Sequence, residues 1–456
     1  MRDRKFVVNL YQADDAAAME KKLEQLAERG WLLERVTNWG WHLRRAEPQQ
    51  VKYTVTYFPD ASVFDSGVTA GQEVYGDYCR AAGWEFVSAY GPIQYFRSAR
   101  PDPAPIETDE GEKLRTIHKS MRKTLVFSHF LLLAAWLINL AMRLSDLYRD
   151  PISVLTGTRT LLTLLLQAGL VVYLSVVLID YLIWYARSRR SVARGGGCLP
   201  PHTRLRLWAG AILMVLACLA LLAVIRDISS PGSALIFAYA FGGMILLIAL
   251  AQGTLALLNR RGRCREQVRG LYIAAVIVLA VAYTAGMFPL GRYLYDAGLM
   301  DERQPVQTYT DSRGRTWDIY RDELPLTLED LGYTVPEAGR YSYEAEEDRS
   351  LLGSSLRYRQ RPASWSSSLP ELEYQVVKLP GILLDFTMER LLAYYDECRP
   401  VEDPRWDARA VYRQTYSDGM TRSLVLWDDR ILILHTDEPL TGSQTAAASA
   451  ALRAVS

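Results

Sequence analysis

Five long apolar segments occupy the middle of this chain and constrain its fold more than any other feature. They are Leu125–Met142, Leu161–Tyr185, Leu207–Ile225, Ala234–Leu258 and Leu271–Leu290. A helix needs about 20 apolar residues to cross the roughly 30 Å hydrocarbon core of a bilayer. So many such runs in close succession exceed the apolar content of a globular core, and a helix satisfies its own backbone in lipid. The sequence therefore predicts five transmembrane helices.

Charge is distributed unevenly along the chain. The whole chain has 52 basic and 51 acidic residues, and its near-zero net charge of +1 argues against a nucleic-acid-binding protein. The net charge is −1 over residues 1–105, +11 over 106–291 and −9 over 292–456. We therefore predict a multi-domain membrane protein with four parts. They are an N-terminal domain at 1–105, a basic linker helix at 106–123, a transmembrane domain at 124–291 and a C-terminal domain at 292–456.

The basic residues near the apolar runs predict the orientation in the membrane. Sixteen of them lie on the segments that flank one face of the predicted bundle, 106–123, 186–206 and 259–270. Six lie on the segments that flank the other face, 143–160, 226–233 and 291–303. Because cytoplasmic loops are enriched in Lys and Arg, we expect a multi-pass protein of the cell membrane. Its N-terminus would be cytoplasmic and its C-terminus extracytoplasmic.

The N-terminal domain contains a repeated unit of a helix, a Gly-Trp step and two strands. The steps are Gly30-Trp31 and Gly83-Trp84. Helical and alternating apolar patterns predict helices over Asp14–Arg29 and Ala70–Ala82, and strands over Phe6–Leu10, Trp31–Thr37, Gly40–Arg45, Val51–Phe58, Trp84–Ala89 and Ile93–Arg97. Two such units predict an α+β domain with a ferredoxin-like two-layer arrangement.

Aromatic residues are frequent in this domain and allow two interpretations. Sixteen of the first 105 residues are Phe, Trp or Tyr. They could fill the core, which suits the preference of aromatic residues for strands, or form a surface for an aromatic or extended ligand. We predict that Trp31 and Trp84 anchor the core. Trp39, which precedes Gly40 in a turn, is the candidate for an exposed aromatic surface.

The same region carries a family resemblance. A helix that ends at Gly30-Trp31 is followed by a strand pair and by a Tyr-rich strand with Tyr53 and Tyr57. Over about residues 4–100 this pattern resembles the bacterial family described as domain of unknown function 2812. The resemblance implies membrane spans downstream and a PadR-type regulator encoded nearby as a possible partner. It implies no activity, because the family has no assigned catalytic residues.

Polar residues are scarce within the apolar runs. Asp180 lies near the cytoplasmic end of the second run, and the other candidate intramembrane polar residues are Asn139, Gln167 and Gln252. Ionisable groups inside a membrane are costly and often functional. Two alternatives stay open for Asp180. It could pair with Arg187 or with a basic residue of the 259–270 loop, or it could lie in a proton or cation path.

The C-terminal domain mixes strand and helix patterns, which predicts a second α+β fold. Predicted strands cover Val306–Thr310, Arg315–Tyr320, Tyr374–Leu379, Arg409–Tyr416, Thr421–Trp427 and Ile431–His435, and predicted helices cover Phe386–Cys398 and Thr441–Arg453. Thr327 and Asp330 resemble a capping box for a short helix that Gly332 would end. In the linker, Thr108 can cap a helix that runs directly into the first span.

Catalytic motifs are absent from the sequence. It has no phosphate-binding Gly-Lys loop, no HExxH and no CxxC, and no two His have metal-ligand spacing. We therefore predict no cofactor and no metal. The main hypothesis is a non-enzymatic regulatory or sensory membrane protein that couples a cytoplasmic module to an external one. A transporter or transport accessory protein is the alternative, and a membrane enzyme is the least favoured class. The expected partners are the lipid bilayer and a protein in the membrane or the PadR-type regulator, and not nucleic acid.

Overall fold

The computed structural model describes residues 3–9, 11, 15–201, 203–226, 230–299, 305–310, 314–335, 340–363 and 369–455, except for the side chains of residues 124, 203 and 204. In chain order its elements are β1 Arg4–Val8, α1 Ala16–Glu28, β2 Trp31–Thr37, β3 Gly40–Arg45, β4 Lys52–Tyr57, α2 Ala70–Ala81, β5 Glu85–Tyr90, β6 Ile93–Ser98, α3 Glu110–Met121, α4 Phe127–Arg149, α5 Pro151–Thr156, α6 Thr158–Ala193, α7 Thr203–Arg226, α8 Pro231–Arg260, α9 Arg265–Asp296, β7 Gln307–Thr310, β8 Thr316–Ile319, β9 Tyr341–Arg349, β10 Ser354–Pro362, β11 Leu372–Lys378, α10 Gly381–Tyr394, β12 Arg399–Pro400, β13 Ala410–Thr415, β14 Thr421–Leu426, β15 Arg430–Thr436 and α11 Gly442–Arg453.

The chain forms two compact units. The first comprises residues 1–136, 169–214 and 229–300, and the second comprises residues 137–168, 215–228 and 301–456. Several membrane-length helices therefore contribute residues to both units.

The N-terminal module consists of two β-α-β-β units that share one sheet order. The first unit forms a sheet in the order β1-β3-β2, and the second forms a sheet in the order β4-β6-β5. The repeat therefore includes a strand before each helix. The predicted helices and strands of this region are present, although Leu10 and Asp14, at predicted element ends, lie outside the described residues.

The two three-stranded sheets meet where β2 contacts β5. Each of these strands has a β-bulge, which lies between Leu33 and Arg35 in β2 and between Phe86 and Ser88 in β5. The backbone N–H of Val36 donates a hydrogen bond of 3.1 Å to the hydroxyl of Ser88. Bulges leave a residue outside the ladder and bend a strand. The strands therefore form two bent sheets with a seam rather than one continuous sheet.

The tryptophans of the module differ in burial. Trp41 is fully buried and Trp84 is buried, so the predicted core role holds for Trp84. Trp31 packs at the edge of the core and is only half-buried, with the guanidinium of Arg45 5.1 Å from the centre of its ring. The sequence pattern therefore over-estimated the burial of Trp31, whose cross-strand neighbour is the charged Arg45 and not an apolar residue.

The core of the module extends beyond the predicted domain boundary at residue 105. Leu114, Ile117 and Met121 of α3, with Tyr181 and Trp184 of α6, belong to the same buried cluster as the strands. The linker helix is thus part of a packed core, and it depends on the end of a membrane-length helix for its burial.

The predicted cap of the linker helix was one residue too early. Asp109, and not Thr108, caps α3, since its carboxylate accepts hydrogen bonds from the N–H groups of Gly111 and Glu112 at 2.7 and 3.2 Å. The helix then continues through a π-helical turn, Arg122–Val126, directly into α4. This continuity agrees with the prediction that the linker helix runs into the first span.

Five helices of the described chain are long and apolar enough to cross a membrane, as predicted. They are Phe127–Arg149, Thr158–Ala193, Leu205–Arg226, Pro231–Arg260 and Arg265–Asp296. Several continue well past the apolar runs, because helical backbone hydrogen bonding does not stop where side chains become polar. Much of the predicted 186–206 and 259–270 loops is therefore helical, and most of their basic residues lie on helix ends.

A reciprocal contact of tyrosines and glycines joins α8 to α9. Tyr239 donates a hydrogen bond to the carbonyl of Tyr283 at 2.7 Å, and Tyr283 donates one to the carbonyl of Ala240 at 2.9 Å. The two rings stack with their centres 5.3 Å apart. A Cβ atom added to Gly243 would lie 2.6 Å from the Tyr283 ring, so this glycine makes the close approach possible.

The C-terminal module is built on a seven-stranded sheet with the order β12-β13-β14-β15-β11-β10-β9. One face packs against α10 and α5, through Leu384, Met388, Ile152 and other apolar side chains. The other face packs against α11 and the segment around Leu328. The region is therefore α+β, as predicted, with a two-sided core.

Some predicted details of this module differ from the structure. Thr327 and Asp330 do form reciprocal hydrogen bonds of 2.9 and 3.3 Å, but they close a turn, and the predicted short helix does not form. Strand β9 was not predicted, because its Glu-rich sequence lacks an apolar alternation. The predicted β7–β8 hairpin is present, while Asp311, Ser312 and Arg313 of its turn lie outside the described residues.

Candidate ligand-binding cleft and its connection to the membrane helices

A cleft of about 960 Å³ opens at the seam between the two β-α-β-β units. The bulged segments of β2 and β5 contribute to its lining with Val36, Val87 and Ser88, and Phe6 and Phe86 add aromatic surface. A volume of this size lies at the upper end of the range of small-molecule sites, and such sites combine apolar walls with a few polar groups. The cleft therefore has the size of a ligand site, and its lining mixes apolar and polar groups.

The charged residues that line the cleft make it positive. Arg4, Lys5 and Arg35 contribute three cations, and Glu34 and Asp65 contribute two carboxylates. Arg4 and Glu34 form an exposed ion pair at 3.4 Å. Asp65 pairs with an arginine outside the lining, as described below, so little of its charge is left to balance the remaining cations. A positive cleft favours a ligand with an acidic group.

One wall of the cleft is a loop between β4 and α2, residues 59–68, which we call the junction loop. Ser62, Val63, Asp65 and Val68 of this loop line the cleft. Asp65 also holds the loop in shape, since its carboxylate accepts a hydrogen bond of 2.7 Å from the backbone N–H of Ser62. The same carboxylate thus orders the wall and also binds Arg265.

The junction loop binds the turn between α8 and α9. The guanidinium of Arg265 donates two hydrogen bonds of 2.8 Å to the carboxylate of Asp65, which is the strong bidentate geometry. Asn259 donates a hydrogen bond of 3.2 Å to the carbonyl of Val63. Phe64 packs against the helix pair, with its ring centre 5.7 Å from that of Tyr272. A single loop therefore contacts both the cleft and a pair of membrane-length helices.

A second connection runs through α3 to the end of α6. His118 Nδ1 lies 2.9 Å from the hydroxyl of Tyr181, and the His118 ring stacks on Tyr185 with the centres 3.8 Å apart. Burial lowers the pKa of His118. At the other end of α3, the carboxylate of Glu110 accepts a hydrogen bond of 2.9 Å from the N–H of Cys198, which lowers the pKa of Glu110. Contacts at both ends thus join α3 to neighbouring parts of the first compact unit.

Asp180 forms a buried ion pair. Its carboxylate lies 2.5 Å from Nε of Arg206, and the side chain of each residue is only 4% exposed. The sequence pointed to Arg187 or the 259–270 loop as the partner. Arg206, near the start of α7, was not among the predicted partners of Asp180, because sequence spacing does not show which helix lies next to α6.

The other predicted polar candidates lie on three helices. Asn139 on α4, Gln167 on α6 and Gln252 on α8 are each partly buried. Trp39 is 58% exposed in the turn between β2 and β3. It does not belong to the lining of the cleft, and its role as an aromatic contact surface stays a prediction.

Metal ligands do not cluster in the part of the chain that the structure describes. No group of three or more His, Cys, Asp or Glu side chains there could hold a metal ion.

The sequence patterns did not point to the residues that line the cleft. The positive residues Arg4 and Lys5 at the start of the first strand were a weak signal, but the bulges in β2 and β5 have no local signature.

Comparison with known proteins identifies only the N-terminal region. No curated protein and no solved structure matches the chain. A family model described as protein of unknown function (DUF2812) matches residues 15–129. This range contains both helices of the repeat, the junction loop and α3. Residues 15–129 thus match the DUF2812 family of proteins of unknown function, in agreement with the resemblance seen in the sequence of the N-terminal region.

Proposed function

We propose that this chain is a regulatory protein of the cell membrane whose N-terminal module senses a small ligand. The ligand would bind in the cleft between the two β-α-β-β units. The observation that carries the proposal is the position of the junction loop, since Asp65 contributes to the cleft and binds Arg265 at the turn between α8 and α9. A ligand that moves this loop changes the contacts of the helix pair.

The chemistry of the cleft favours an amphipathic ligand with an acidic group. Phe6, Val36 and Phe86 offer apolar contacts, and Lys5 and Arg35 offer positive charge. The scarcity of polar residues in the helices supports regulation rather than transport, because transporters place polar groups near the middle of the bilayer.

The proposed orientation has the N-terminal module in the cytoplasm and the C-terminal module outside, on the basis of the excess of Lys and Arg near the first. We expect a cysteine that replaces Trp39 to resist a membrane-impermeant thiol reagent in intact cells, and a cysteine that replaces Leu351 to react. Both positions are exposed, at 58% and 89%. The background must lack the native cysteines, and both variants should react in opened cells. The reverse pattern in intact cells contradicts the orientation.

Coupling between the cleft and the helices can be tested without knowing the ligand. The variant Ala89→Trp fills the cleft and acts as a ligand substitute, and Ala99→Trp, which lies outside its lining, is the control. We expect Ala89→Trp to change hydrogen exchange in the turn between α8 and α9 of the full chain. The change should be lost when Asp65→Asn is added, because the connecting ion pair is then absent.

Asp65→Asn alone has a measurable expected effect. It should weaken the local stability of that turn by about 1 kcal/mol, which is roughly a fivefold faster exchange, since the pair is partly exposed. If Ala89→Trp changes hydrogen exchange only around the cleft and not at the turn between α8 and α9, the proposed coupling is contradicted.

A further inference from the structure

A groove of about 650 Å³ lies between α4 and α6, next to the π-helical turn. Its walls are almost entirely apolar, and they are formed by Val126, Phe127, Phe130, Leu178 and Leu182. The two remaining lining residues are the cations Arg122 and Lys123. The groove thus combines a long apolar surface with positive charge at the end of a membrane-length helix.

A π-helical turn lies at the charged end of this groove. The N–H of Phe127 bonds to the carbonyl of Arg122, five residues earlier, where an α-helix would bond four residues earlier. The wider turn rotates successive side chains by a smaller angle. Val126 and Phe130 follow Arg122 at intervals of four residues, and Phe127 follows Lys123 at the same interval. The cations and the apolar wall therefore share one side of the helix. Helical turns of this kind occur frequently at functional sites.

We propose that this groove binds one anionic phospholipid. An acyl chain would lie against Phe127, Phe130 and Leu182, and the phosphate would be held by Arg122 and Lys123. Basic side chains at the membrane surface attract anionic lipids. A zwitterionic lipid has a cationic headgroup of its own that opposes this attraction, so the site prefers a lipid with net negative charge.

The same lysine connects the groove to the junction loop. Lys123 lies 3.2 Å from the carbonyl of Pro59 and 3.6 Å from the carboxylate of Asp60. Lys119 lies 3.5 Å from that same carboxylate. A lipid phosphate therefore competes for Lys123, while Asp60 keeps Lys119 as a partner. Lipid binding stands independently of the proposed ligand-sensing role, and its effect would reach one end of the junction loop.

The test measures lipid binding to the full chain in detergent micelles by native mass spectrometry. The probes are phosphatidylglycerol and phosphatidylcholine with the same acyl chains. We expect the wild type to prefer phosphatidylglycerol, and the double variant Arg122→Gln/Lys123→Gln to bind it about 10- to 30-fold more weakly. Binding of phosphatidylcholine should change little in this variant.

Three controls separate the groove from general charge. The variant Arg260→Gln/Arg261→Gln removes equal charge from a helix end that does not line the groove, and it should keep the preference. Leu182→Trp, which fills the groove, should weaken binding of both lipids. Glycerol phosphate without acyl chains should not compete.

The proposal is overturned by any of four results. They are loss of the preference in both double variants, its retention in both, full binding to Leu182→Trp, and competition by glycerol phosphate. The last result would indicate a phosphate site without a lipid. Thermal unfolding of each variant shows whether it is folded, and the Leu182→Trp result keeps the groove testable if the charge variant unfolds.

Discussion

Replacement of Asp180 by asparagine is expected to destabilise the helix bundle by about 3–5 kcal/mol, because the change removes the carboxylate that pairs with the buried guanidinium of Arg206. The position of Asp180 near the end of an apolar run predicts a much smaller cost, under about 1 kcal/mol, for a pair screened by water and headgroups. The burial of both side chains decides for the larger value. Thermal unfolding of the full chain in detergent micelles measures the difference.

Variants of Arg206, the partner of Asp180, and of the exposed ion pair between Arg143 and Asp146 provide the controls. Arg206→Met should destabilise to a similar degree, and Asp180→Leu combined with Arg206→Met should recover most of the loss, because both members of the buried pair are then apolar. Asp146→Asn disrupts an exposed pair with Arg143 and should cost about 0.5 kcal/mol or less. A double variant as unstable as the sum of the single ones contradicts this account. Proton or cation flux in liposomes that disappears in a folded Asp180→Asn variant would support the transport alternative instead.

Replacement of Trp41 by alanine is expected to cost the N-terminal module about 3–5 kcal/mol. Trp41 is fully buried and stacks on Tyr11, with ring centres 5.9 Å apart, so its removal leaves a large cavity. The matched control is Trp39→Ala, two positions earlier and 58% exposed, which should change stability by about 0.5 kcal/mol or less. Resistance of the full chain to limited proteolysis within the module measures both. Equal sensitivity of the two variants contradicts the assignment of Trp41 to the core.

Local patterns predicted much of the N-terminal module. The bounds of β2 and β3 agree with the prediction at both ends, Trp31–Thr37 and Gly40–Arg45. The reason is local, since Gly30 has a positive φ of 78° that ends the preceding helix and starts the strand. In the C-terminal module, β9 was missed because its place in the sheet comes from pairing with β10 and not from its own sequence.

The candidate site could not be predicted in the same way. The cleft depends on a contact between Val36 and Ser88, in different repeats, and its wall depends on Asp65 and Arg265, which lie 200 residues apart. Neither pair has a spacing that a local pattern could reveal. The aromatic candidate Trp39 illustrates the limit, because its exposure followed from its turn, while its absence from the lining of the cleft did not.

The sequence by itself determined the five membrane-length helices found in the described residues and the repeated N-terminal module. Both depend on local free energies, the transfer of about 20 apolar residues into lipid and the ending of a helix at a glycine. The tertiary structure alone decided that Asp180 is paired with Arg206, that a cleft lies between the two β-α-β-β units and that the junction loop binds the turn between α8 and α9. These features depend on which distant segments pack together, because an ion pair or a cleft exists only when folding brings its residues within a few ångströms of each other.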